Sequence, residues 1–111
     1  IKYEPAGNWS KEDADRVFNG NDSKKIIDAL LGIINGVDEF EWVQAACLKF
    51  INHQDQWVAG TAVNCLGDIA RIHGKIDKHK VLPILERLKK RPELEGKIED
   101  VLDDIEMFAK D

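Results

Sequence analysis

A shift of 36 residues lays the apolar positions of this chain on one another. Ile26, Ala29, Leu30 and Ile33 fall on Ala62, Cys65, Leu66 and Ile69, and these on Ile98, Val101, Leu102 and Ile105. The same amphipathic helix is written three times. A period of this size, made of helices that cannot bury an apolar face alone, marks units that stack into one continuous core. Chains built this way mostly bind other molecules, so binding rather than catalysis is the first expectation.

Six helical segments and no strand follow from the pattern. Ser10 with Asp13 resembles a capping box ahead of Ala14, Val17 and Phe18, and Asn19-Gly20-Asn21 ends that stripe. Ser23 is predicted to cap a second helix that Gly36 closes, Asp38 a third, and Asp55 a fourth that stops at Gly74. Asp77 opens the fifth. Pro83 lies inside it, and an interior proline removes a hydrogen bond, so the regular helix is predicted to begin near Val81 or to kink. Pro92 suits the first turn of a sixth helix that continues to the chain end. The whole, residues 1–111, reads as one domain of about three helix pairs: 10–35, 38–73 and 77–110.

The segments Glu39 to Leu48 (EFEWVQAACL) and Trp57 to Ile69 (WVAGTAVNCLGDI) give the arrangement its family resemblance. It resembles the HEAT-repeat family over roughly Asn21 to Lys110. The resemblance implies an all-α, HEAT-like α-α superhelix, or solenoid, in which the second helix of each pair lines a concave surface that partners occupy. Gln44 and Ala59 depart from the pattern, standing where the family often carries arginine.

Composition removes several function classes. Apolar runs are far shorter than the roughly 20 residues that span a bilayer, so no membrane role is expected. Cys47 and Cys65 sit on apolar helical faces without C-x-x-C spacing, which reads as reduced core cysteines and a cytoplasmic chain, with a disulfide between stacked helices as the alternative. His53, His73 and His79 lack zinc-ligand spacing, so no metal, and equally no cofactor, is expected. No nucleophile with an oriented base, phosphate-cradling loop or metal set is evident, and catalysis is not expected. The link to HEAT-like bilin lyases rests on fold alone. The first residue is Ile1 rather than Met, so the chain reads as trimmed or processed, with a removed signal peptide or flanking repeats both open.

The exposed positions carry the functional reading. The wheel of the fourth helix sets Trp57, Gly60, Asn64, Gly67, Asp68 and Arg71 opposite its buried stripe. The 36-residue shift aligns Asn64 with Asp28 and Asp100, and Asp68 with Gly32 and Asp104; Asp103 projects from the same turn as Asp100 and Asp104. Asp28, Trp57, Asn64, Asp68, Arg71, Asp100, Asp103 and Asp104 are the expected partner-binding residues. Charge divides along the chain: Lys75 to Arg91 has a net charge of +5, Glu93 to Asp111 of −6, and the whole −5. An acidic concave column with an exposed tryptophan suits a basic protein, and nucleic acid fits it poorly, since counterion release needs aligned lysines or arginines. The expectation is a non-catalytic protein-binding module that resembles the HEAT-type immunity proteins neutralising bacterial toxins, here a basic, nuclease-like toxin domain. The alternative is a generic adaptor or scaffold, or a piece of a longer solenoid.

Overall fold

The computed structural model describes residues 9–110, and among these it contains six helices and no strand. They are α1 (Lys11–Phe18), α2 (Ser23–Gly36), α3 (Phe40–Phe50), α4 (Gln56–His73), α5 (Lys78–Leu88) and α6 (Pro92–Phe108). None is long and apolar enough to cross a membrane.

Caps set the boundaries. Ser10 accepts a hydrogen bond from the Asp13 backbone N–H, Asp22 from that of Lys25, Asp55 from those of Trp57 and Val58, and Asp77 from that of Lys80. Two predicted caps move by one residue. Asp22 caps α2 in place of Ser23, because its carboxylate already reaches the third N–H of the helix. Glu39 takes the cap position of α3 instead of Asp38, and it makes no side-chain capping bond. Gly74 closes α4 in the left-handed conformation, φ 67°, as expected of a glycine stop.

The fifth helix differs from expectation more. It starts at Lys78, three residues before Val81, and runs through Pro83. The Asp77 carbonyl accepts the Val81 N–H at 2.9 Å, so the first turn is closed before the proline arrives. Pro83 itself is exposed, which leaves the carbonyl it cannot satisfy within reach of water.

Packing follows the repeat. α1 lies on α2, α3 on α4 and α5 on α6, while α4 also packs against both α2 and α6. The second helices therefore stand side by side with α4 in the middle. Ile26, Leu30, Ile33, Leu66, Ile69, Ile98 and Ile105, all at repeat-aligned positions, are fully or almost fully buried in one core. Short polar ties join successive pairs: Arg91 Nη1 donates to the His53 carbonyl at 2.8 Å, and the Lys110 N–H to the Gly74 carbonyl at 3.1 Å. Cys47 and Cys65 are free thiols buried in this core. Contact with the Cys65 thiol, and then burial, push the Cys47 thiol well above its ordinary value, so it stays protonated at neutral pH.

Candidate functional site

Positions seven residues apart on a helix share one line, two turns on, and each second helix carries such a crest. On α4 it is Trp57, Asn64 and Arg71; the repeat aligns Asp28 and Asn35 on α2 and Asp100 and Met107 on α6. All seven are exposed. Trp57 is 66% exposed and Met107 68%, the two most exposed large apolar side chains described. The expected residues Asp28, Trp57, Asn64, Arg71 and Asp100 are thus all exposed on the second helices, at one line of α4 and the positions that the repeat aligns with it. Asp28 and Asp100 make no ion pair among the described residues.

Asp68 and Asp104 lie lower, between helices. Arg71 donates through Nη2 to Asp68 Oδ1 and through Nη1 to Asp104 Oδ2 at 2.8 Å, so one guanidinium joins two carboxylates across α4 and α6. Desolvation raises the Asp68 carboxyl above its ordinary value, the Arg71 charge opposes that rise, and Asp104 adds to it. This part of the acidic column is largely spent inside the protein.

Two glycines read as exposed are in fact buried. A Cβ on Gly60 would come within 3.0 Å of Lys97 Cε, and one on Gly67 within 3.0 Å of Asp104 Oδ2 and 3.3 Å of Val101 Cγ2. They let α6 approach α4, and Gly67 leaves the room in which Asp104 reaches Arg71. A single-helix wheel places them opposite the apolar stripe, but the middle helix of three is covered on both flanks. Buried Ala59, Val63 and Ala70 on the same helix carry the signal.

One repeat further, the counterparts of Gly60 and Gly67 are Gly96 and Asp103. A Cβ on Gly96 would meet nothing within 4 Å, and Asp103 is exposed. Asp103, one turn on from Asp100, therefore stands at the outer edge of the crest, between Asp100 and the exposed Glu95, Glu99 and Glu106. This solvated flank accounts for much of the acidic excess of α6.

Sequence reasoning missed two residues. Trp9 lies against Gly32 so closely that a Cβ there would overlap its indole ring. It covers the flank of α2 that corresponds to the Asp68 and Asp104 positions, and the helical glycine in that aligned column was the available clue. Gln44 is only 5% exposed, and its Oε1 accepts the Asp77 N–H at 2.8 Å. No cluster of three or more histidine, cysteine or carboxylate side chains suited to a metal occurs among the described residues. Comparison with protein-family models, curated proteins and solved structures returns no match for this chain.

Proposed function

We propose that this chain is a small HEAT-like solenoid that acts as a stoichiometric, non-catalytic protein-binding module, with a basic protein as its partner. The paired helices, with α4 central among the second helices, support the solenoid reading. The observation that carries the function is the crest face itself. It presents Trp57, two-thirds exposed, in register with Asn64 and with Asp28 and Asp100, exposed carboxylates that form no ion pair among the described residues. A large amphipathic anchor beside uncommitted charge is the usual make-up of a binding hot spot.

Within this class the reading is immunity. A basic partner whose natural ligand is RNA or DNA offers a cationic cleft, and Asp28 and Asp100 would stand where phosphates otherwise lie, with Trp57 as the apolar anchor. A net charge of −5 speeds encounter with such a surface.

The test is affinity capture with the tagged full chain expressed in the organism that carries it. One basic protein in equimolar yield, lost when Asp28 and Asp100 are both replaced by Lys, is the expected result. No stoichiometric basic partner, or one indifferent to the double charge reversal, overturns the reading.

A further inference from the structure

The basic run from Lys75 to Arg91 takes no part in the crest face, and its beginning borders a groove. α3 and α5 pack on second helices and make little contact with each other. The space between α3 and the start of α5 is a cleft of about 410 Å³. Phe40, Leu48 and Ile76 give it apolar walls; Lys75 and Lys80 also line it, Lys80 at 4.0 Å from Asp77, while the ammonium of the third lining lysine, Lys78, donates to the Ala109 carbonyl. The Lys75 ammonium lies 4.7 Å over the Phe40 ring, which fixes one positive charge directly above an apolar surface. Lys80 and Arg87, seven residues apart, extend the positive edge along α5.

Gln44 adds a directional group. Its oxygen is committed to the Asp77 N–H, which turns its amide nitrogen away from the loop. That nitrogen has no acceptor among the described residues, yet it is not a sealed, unsatisfied atom. Gln44 lines the cleft, so the small exposed part of this buried side chain opens there. An N–H donor in a largely desolvated wall is suited to a carbonyl oxygen.

We propose that this cleft docks an extended acidic segment of a partner protein. One apolar side chain of the segment rests on Phe40 and Leu48, a backbone carbonyl accepts from Gln44 Nε2, and flanking carboxylates meet Lys75 and Lys80. Glu41 and Asp77 also border the cleft. A nucleic-acid strand, charged at each residue, would set phosphates against them, whereas a peptide can pass them with an uncharged residue. The apolar walls favour the peptide for the same reason.

The probes are fluorescein-labelled short peptides in which Asp or Glu alternates with Leu, Phe or Trp, beside a lysine-for-acid set and a single-stranded DNA oligomer. Anisotropy is read on the full chain, and the Gln44 side-chain amide is followed by NMR. Saturable binding of acidic peptides is expected, with a shift of the Gln44 amide and about tenfold or greater weakening in Lys75→Glu/Lys80→Glu, two exposed positions whose reversal leaves the fold intact by circular dichroism. The proposal is overturned if no acidic peptide binds, if the Gln44 amide stays unmoved at saturation, if the reversal leaves affinity unchanged, or if the DNA oligomer displaces the peptides.

Discussion

Three glycines inside helices give the sharpest test of how α6 sits on α4. In an open helix, Gly→Ala stabilises by about 1 kcal/mol through backbone entropy. Gly96 meets open space, so Gly96→Ala should gain that amount in full. At Gly60 the new methyl would press on Lys97 Cε at 3.0 Å, the movable end of a long side chain, and would stand 3.7 Å from Leu94. Lys97 can swing aside, and the change should be close to neutral. Gly67 is different, because the methyl meets the Asp104 carboxylate at 3.0 Å and the short, buried Val101 at 3.3 Å. Val101 must shift and Asp104 must leave Arg71. Overpacking of this kind costs about 1–3 kcal/mol, which outweighs the entropic gain. Chemical denaturation of the three variants should therefore rank them Gly96→Ala above Gly60→Ala above Gly67→Ala. The outer two should differ by about 1–3 kcal/mol, the overpacking cost at Gly67, because the entropic gain is common to both and cancels. Equal stabilisation at Gly67 and Gly96 would refute the close approach of α6 to α4, and with it the covered flank.

Two other expectations follow from the same packing. Leu66→Ala empties a fully buried position on the central helix and should cost about 2–5 kcal/mol in urea denaturation; a negligible loss would show that the repeat register is wrong. A carboxyl raised in the folded state binds its proton more readily there than in the unfolded chain, so ionised Asp68 works against folding above that raised value. Asp68→Asn should thus be neutral or mildly stabilising at pH 7, with the advantage fading as acid protonates the wild-type carboxyl. Clear destabilisation at pH 7 would mean instead that attraction to Arg71 dominates.

The core was legible because its columns repeat. Ile26, Ala62 and Ile98 each face inward for the same reason, and burial of an aligned position needs no knowledge of the neighbours. Caps were legible to within one residue, since Asp22 and Ser23 are both good cap formers and only geometry decides between them. The flanks were harder to read. Whether Gly60 is exposed depends on α6 lying across it, and Gly96, at the equivalent place one repeat on, is open. Asp103 shares a helix turn with Asp100 and Asp104 and is exposed like Asp100, but Asp104 turns towards α4 and Arg71, a difference that only the neighbouring helix decides. Gln44 was noted only as a departure from a family pattern; its role depends on the Asp77 N–H, which lies 33 residues away in the chain. Gly32 in the aligned column hints that something covers that flank, but only the fold shows that it is Trp9.

The crest face is tested most directly by calorimetric titration of the captured partner into wild-type protein and into Asp28→Lys/Asp100→Lys. Both aspartates are exposed and form no ion pair among the described residues, unlike Asp68 and Asp104, so their reversal should leave thermal stability within about 0.5 kcal/mol of wild type. Affinity should fall by about a hundredfold or more, as expected when two charges facing a basic surface are inverted. Undiminished affinity in a folded double variant would place the partner on another face and contradict the assignment.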